Sequence, residues 1–167
     1  LVDASLLVPP SSAGNEPRFR VLETIREFGL DLLAGWSDGG AVGGRHASFY
    51  LALAETAESR LIGSGASTWV ERLASERANL RAAVAWALAA GDAAPVLRLA
   101  GTLLSFAYAR GEPAEALAWL EAALALGDAV LPDVRADASF AASALAQVQG
   151  DFARSRELCE RSLAIAL

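Results

Sequence analysis

Apolar positions along the chain change their spacing near residue 22. In Arg18-Phe19-Arg20-Val21, Phe19 and Val21 alternate with arginines at the two-residue period of a strand. Leu6-Leu7-Val8 lies upstream, and between the two runs stand Pro9, Pro10, Ser11, Ser12, Gly14, Asn15 and Pro17, the residues of a loop. The pattern predicts a short β-hairpin with a long tip. Two strands do not stand alone in water, so the hairpin must pack on helices or on another part of a longer protein.

From Leu22 the period becomes helical. Leu22, Ile25, Phe28 and Leu32 form one stripe, and Gly35 with Ser37-Asp38-Gly39-Gly40 ends the helix. A second helix is predicted from about Gly44 to Ile62, with Phe49, Leu53, Ala57 and Leu61 as its core face. Thr68-Trp69-Val70-Glu71 fits a capping box, which predicts a third helix running to about Ala90 with Trp69, Leu73, Leu80, Val84 and Leu88 inward. Gly91-Asp92 reads as a stop followed by a new N-cap, with Pro95 in the first turn, where its missing N–H does no harm. Gly111-Glu112-Pro113, Pro132-Asp133 and Gly150-Asp151 repeat that punctuation, giving helices of about 93–110, 113–127, 133–149 and 152–167. Such short connections make neighbours antiparallel.

Two stretches recur at a fixed interval. Ala109-Arg110-Gly111 matches Val148-Gln149-Gly150, and Leu120 to Leu126 matches Cys159 to Ile165, both offset by 39 residues. A helix-turn-helix unit recurring at that interval is the mark of an α-solenoid, in which each pair buries its apolar face only by stacking on the next.

Composition narrows the chemistry. All 14 basic residues are arginine, and the absence of lysine excludes a lysine-dependent phosphate loop, a Schiff-base lysine and a lysine general base within these 167 residues. Methionine is absent too, so the sequence is expected to be a piece of a longer or processed protein. The 38 Ala and 26 Leu favour helix, and the formal charge of −6 argues against a broad nucleic-acid surface. One Cys and one His leave no structural zinc site and no disulfide. A lone thiol and no leader pattern point to a cytoplasmic protein. Asp92 and Arg98 interrupt the most apolar region, so no membrane span is expected.

Single residues that invite a catalytic reading have plainer ones. His46 reads as a helix-start residue beside Phe49 and Tyr50, because no Ser, Cys or Asp partner is placed near it. Cys159 falls on a predicted core stripe, and Trp69, Trp86 and Trp119 sit at core spacing. Arg154, Arg156 and Arg161 are balanced by Glu157 and Glu160 on a solvated face. No catalytic constellation, metal site or cofactor site emerges.

Residues 136–167 resemble a tetratricopeptide (TPR) repeat, with Gln149-Gly150-Asp151-Phe152 as the interhelix turn and small residues at Ser143, Ala146, Ser155 and Ser162. Ser139, Ala146 and Cys159 depart from the aromatic positions of that repeat. Residues 97–128 form a more divergent unit, in which Ala116, Leu120 and Ala123 keep the pattern and Leu104 breaks it. The front of the chain, Leu1 to Leu7 and then Pro17-Arg18-Phe19-Arg20-Val21-Leu22-Glu23-Thr24-Ile25-Arg26-Glu27-Phe28, resembles the end of the winged helix in bacterial STAND-type ATPase regulators of the LuxR, AfsR/SARP and cyclase-linked kinds. Arg45-His46-Ala47 and Glu76 to Trp86 are similar to segments that follow in those proteins.

The resemblance implies residues 1–35 as the end of a winged helix, 36–44 as a linker, 45–92 as connecting helices and 93–167 as two TPR-like hairpins. The expected fold is mainly α: an antiparallel helical-hairpin solenoid preceded by a winged-helix β-hairpin. The resemblance implies a non-catalytic regulatory segment that senses a small-molecule inducer, protein or peptide and signals to an ATPase domain outside this chain. ATP or ADP is then expected in the parent and no cofactor here, with neither direct nucleic-acid nor membrane contact. In such a solenoid the inner wall carries Arg98, Ser105, Tyr108, Asp137, Phe140 and Gln147, the candidate interaction surface. Two rival readings are a DNA-binding winged-helix module and a general TPR-like scaffold, and a third, an enzyme, requires His46.

Overall fold

The structure, a computed structural model, describes residues 7–8, 20–127 and 129–167; the predicted hairpin tip at 9–19 lies outside the described residues. The chain divides into two units, Leu1–Val42 and Gly43–Leu167. The division falls inside the segment expected as a linker. That segment is in part helical, because α2 (Gly39–Ala57) starts there rather than near Gly44.

In the first unit, β1 (Leu7–Val8) and β2 (Arg20–Val21) pair antiparallel, with Leu7 opposite Val21 and Val8 opposite Arg20. Leu22 keeps an extended backbone and leads into α1 (Glu23–Ala34). Glu23 in the first turn complements the helix dipole, and Arg26 Nη2 bonds it at 2.5 Å across one turn. The predicted inward stripe of α1 is not buried: Leu22, Phe28 and Leu32 are exposed and Ile25 is half-buried. Spacing alone identifies an apolar stripe; it does not supply the surface that covers it.

The second unit holds the core. It comprises the rest of α2, a 3-10 turn at Glu58–Arg60, α3 (Ala66–Ser75), α4 (Arg77–Ala89), α5 (Ala94–Leu97), α6 (Ala100–Arg110), α7 (Pro113–Leu126), α8 (Pro132–Val148) and α9 (Phe152–Ala166). The described chain is therefore mainly α. Leu73, Leu97, Leu99, Leu120, Leu124, Leu145 and Leu158 are fully buried, and alanines fill the space between them. Each buried leucine contributes about 1.5–3 kcal/mol of transfer free energy. Helices α6 and α7 form one hairpin and α8 and α9 another; α8 packs against both α6 and α7.

Two turns with the same geometry punctuate these hairpins. Gly111 and Gly150 have left-handed φ of 70° and 79°, where a side chain is disfavoured. Behind them Glu112 N–H donates to the Ala107 carbonyl at 3.3 Å and Asp151 N–H to the Ala146 carbonyl at 3.0 Å. Donor, acceptor and glycine all shift by the same interval as the sequence match. Asp151 then caps α9, its carboxylate accepting from Arg154 N–H at 3.0 Å.

Several boundaries differ from the pattern reading. The Thr68 capping box does not form, since α3 has already begun at Ala66 behind Gly65. The long helix expected to reach Ala90 breaks at Glu76, where the Arg72 carbonyl accepts both the Ser75 hydroxyl at 2.6 Å and the Glu76 N–H at 3.1 Å. The helix expected over 93–110 is split into α5 and α6, and α5 is capped at Ala93 rather than Asp92. On α2 the buried face is Ala47, Leu51, Ala54 and Ala57, while Phe49 is exposed. Of the predicted stripe Ala57 is buried, Leu53 and Leu61 are half-buried and Phe49 is exposed, since strict four-residue spacing drifts about 40° around the helix at each step. Cys159, expected on the core stripe of α9, is exposed, although its match Leu120 is buried. The inward edge of α9 runs through Arg154, Ser155, Leu158, Arg161, Ser162 and Ile165, roughly one-quarter turn away.

Side-chain bonds tie the helices across the core. Thr102 is buried and donates to the Ala54 carbonyl at 3.0 Å, joining α6 to α2. Ser162 donates to the Ala136 carbonyl at 2.8 Å, and Arg161 to the Leu124 carbonyl at 3.1 Å. Arg154 joins α9 to α7 through Glu121 at 2.6 Å. At the start of α7, Glu115 accepts from Arg77 at 2.9 Å and from Arg81, and Arg77 also pairs with Glu112. Burial pushes the Glu115 carboxyl up, but the hydrogen bonds from Arg81 and Arg77 outweigh it and hold the group below the ordinary 4.5.

Trp86, expected in the core, is more than one-third exposed and lies against Gly43 and Gly44 of α2. A Cβ on Gly43 would stand 2.6 Å from the indole nitrogen. Gly43→Ala gains about 1 kcal/mol of helix propensity but drives that contact apart. We expect a net loss of about 1 kcal/mol in urea unfolding, turning into a gain in a Trp86→Ala background, the non-additivity expected of touching residues.

The Glu115 pairs have a pH signature. Because the folded-state value is lowered, their contribution is present above 4.5 and is lost as pH falls through the folded value. The stability gap between wild type and Glu115→Gln, about 1 kcal/mol or less for such partly exposed pairs, is expected at pH 7 and should shrink in acid. Urea midpoints across that range check it; a gap that is constant with pH contradicts the assignment.

Candidate functional site

The six residues expected to line an inner wall are divided by the structure. Ser105 and Tyr108 are on α6, and Asp137, Phe140 and Gln147 are on its packing partner α8. Tyr108 and Phe140 are each 58% exposed, Asp137 and Gln147 are exposed, and Ser105 is half-buried. Two large rings left in water on adjacent helices are a feature that folding does not explain, since burying either contributes more than leaving it out. The 39-residue register brings Gln147 level with Tyr108 and Phe140 level with Gly101. The Glu58 carboxylate lies on the backbone of Gly101, so an added Cβ there would strike it.

Arg98 stands apart from the other five. It occupies the link between α5 and α6, and its Nε donates to Glu55 of α2 at 2.7 Å. It also lines a cleft of about 400 Å³ formed by the α4–α5 turn, the end of α7 and the start of α8. Leu126, Val130, Leu131 and Val134 supply apolar wall, and among the described residues Asp92 is the second charged one there. The sequence reading missed this cleft. Its one visible signal was the apolar Ala129-Val130-Leu131 run in a connection between helices, where polar residues are usual.

A second cavity of about 30 Å³ lies under the Arg77–Glu115 cluster, between Leu73, Leu80, Phe106 and Trp119. It has room for a water molecule or two and not for an organic ligand.

His46 meets Tyr50 at a tilt of 48°, ring centroids 4.7 Å apart, and Tyr50 meets Phe49 edge-on at 5.0 Å. Contrary to expectation, His46 is well inside α2 rather than at its start. Among the described residues no group of three or more His, Cys, Asp or Glu is placed to hold a metal, and no helix is long and apolar enough to cross a membrane.

No described protein family and no solved structure matches the chain. Curated proteins do: over 124 residues it is 36% identical to proteins named as candidate HTH-type transcriptional regulators in Mycobacterium bovis and in two strains of Mycobacterium tuberculosis. The alignment takes in 74% of this chain and 14% of each relative, so the chain spans about one-seventh of the length of the proteins it matches. The chain is thus related to one segment of a much longer class of bacterial transcriptional regulators.

Proposed function

We propose that the chain is a non-catalytic sensory segment of a transcriptional regulator: a TPR-like pair of helical hairpins, preceded by the end of a winged helix, that binds a ligand or partner and couples occupancy to an ATPase switch elsewhere in the parent. The observation that carries this reading is the exposure of Tyr108 and Phe140 on adjacent helices of a repeated unit. Aromatic side chains supply much of the affinity at protein interfaces, and stacked hairpins present them on a continuous wall. The relatives' names support a regulatory role, and their length leaves ample room for separate switch and output domains. Nucleotide, ATP or ADP, belongs to that switch; this chain contributes no lysine to hold it. Coupling requires only that the partner bind one state of the parent better than another.

A second reading, direct DNA binding by the first unit, draws support from the HTH designation of the relatives. Against it stands the chain's charge of −6, since duplex binding gains its affinity from cationic excess. Weak or salt-insensitive binding of this chain to duplex DNA is what the sensory reading expects.

In the full-length regulator, Tyr108→Ala with Phe140→Ala is expected to leave the melting temperature nearly unchanged, because both rings are exposed. Inducer-dependent output from a reporter promoter should fall by about tenfold, the equivalent of about 1.4 kcal/mol of lost binding. A folded double variant with wild-type output removes this face from the mechanism.

A further inference from the structure

We infer that the outer face of α9 is a stacking surface for a further helical hairpin of the parent regulator, one whose leading helix is faced with small residues and whose second helix carries arginines seven apart. It is a second role beside the sensory one and involves neither Tyr108 nor Phe140.

The first hairpin shows such a surface when it is covered. On α7, Leu120 and Leu124 are 0% and 1% exposed, and α8 packs against this helix. Seven of the eight buried residues of α8 are Ala or Ser, which lets helix axes approach closely. From the helix that follows, Arg154 reaches the Glu121 carboxylate at 2.6 Å and Arg161 the Leu124 carbonyl at 3.1 Å. Two arginines seven residues apart are about two turns apart, so both project from one side of α9.

The second hairpin repeats the surface and leaves it open. The 39-residue register carries Leu120, Glu121 and Leu124 of α7 onto Cys159, Glu160 and Leu163 of α9. Cys159 and Glu160 are exposed, and Leu163 is 60% exposed. Phe152, seven residues before Cys159, and Ala166, seven after it, extend the apolar stripe along the same side of the helix, and both are exposed. Glu121 has its arginine, whereas Glu160 has no ion pair among the described residues. The side of α9 that carries Leu158 is already buried in the hairpin, so the helix has two apolar sides and uses one. A helix that closes a stack of hairpins presents a polar outer face, and Phe152 and Leu163 make this face the reverse.

The same comparison identifies the occupant. The interface that covers α7 is built from α8 and α9, and its equivalent one unit further on calls for the same parts: a small-residue helix over Cys159 and Leu163, and a cation against Glu160. The relatives place this chain inside a protein of which it spans about one-seventh, so the parent has chain from which to supply them.

Cys159 lies in the middle of the face and reads its cover directly. In the 167-residue chain it is exposed, and iodoacetamide should alkylate it as an open thiol. In the native full-length regulator, tryptic mapping should find the Cys159 peptide modified about tenfold more slowly or less, because a covered thiol reacts only through local opening. Leu163→Asp and Glu160→Arg should each bring that rate to within about twofold of the rate in the 167-residue chain carrying the same substitution. Both should leave the melting temperature of the 167-residue chain within about 2 °C of wild type, since both residues are exposed there. The inference is overturned if Cys159 reacts equally fast in the two wild-type proteins, or if Leu163→Asp leaves it protected in the regulator. Protection that survives Glu160→Arg overturns the arginine-bearing partner. A 167-residue chain that is itself a dimer with Cys159 protected gives the face to a second copy and overturns the inference as well. None of these readouts depends on the Tyr108/Phe140 face, so the sensory reading stands or falls separately.

Discussion

The layout of the second unit depends on where its helices are made to stop. At Gly91, Gly111 and Gly150 a left-handed residue lets the following N–H reach back to a carbonyl five residues earlier: Asp92 to Ala87, Glu112 to Ala107 and Asp151 to Ala146. These bonds satisfy carbonyls that a helix end would otherwise orphan, and they turn the chain back on itself. An L-residue with a side chain pays roughly 1–2 kcal/mol in that conformation, so glycine makes the reversal nearly free. Everything downstream of the reversal follows from it. Antiparallel neighbours a few residues apart bring alanine-lined faces together, and the leucines at positions 97, 99, 120, 124, 145 and 158 close the space between them.

That is also why the sequence was so readable in its last third and less so before it. Where a glycine or proline enforces a boundary, as at Gly111-Glu112-Pro113 and Gly150-Asp151, the observed α7, α8 and α9 match the pattern to within a residue or so. The break at Glu76 and the one between Leu97 and Ala100 have no such marker. The first lies beside a Ser75 hydroxyl bonded to the Arg72 carbonyl, and the second where a four-residue α5 docks against α7, a tertiary contact that no local window contains. Facing was harder to read than existence. In a chain with 38 alanines nearly every helical face has apolar members, so the large residues misled: Phe49 and Trp86 are exposed while Ala47, Ala83 and Ala142 are buried. Of the candidate surface, the exposed rings were legible because the 39-residue match fixed their register. The cleft was not, because its walls meet only after the hairpins stack.

The arginines show how an acidic chain uses its few cations. Arg77 and Arg81 hold the start of α7, Arg154 and Arg161 bind α9 to α7, and Arg98 joins the α5–α6 link to α2. Each pair is at least partly solvated and individually weak, on the order of 1 kcal/mol or less. Their value is positional, since a forked guanidinium sets the rotation of one helix against another.

Two bonds of different kinds join α2 to the stretch that opens α6. Thr102 is buried and donates to the Ala54 carbonyl, while Arg98, just before the helix begins, donates its Nε–H to the exposed Glu55 carboxylate. Breaking the buried bond strands a hydroxyl out of reach of water, whereas the exposed pair is worth on the order of 1 kcal/mol or less. The acceptors are consecutive residues of α2, so the register of α2 against α6 rests on the threonine first and on the arginine second.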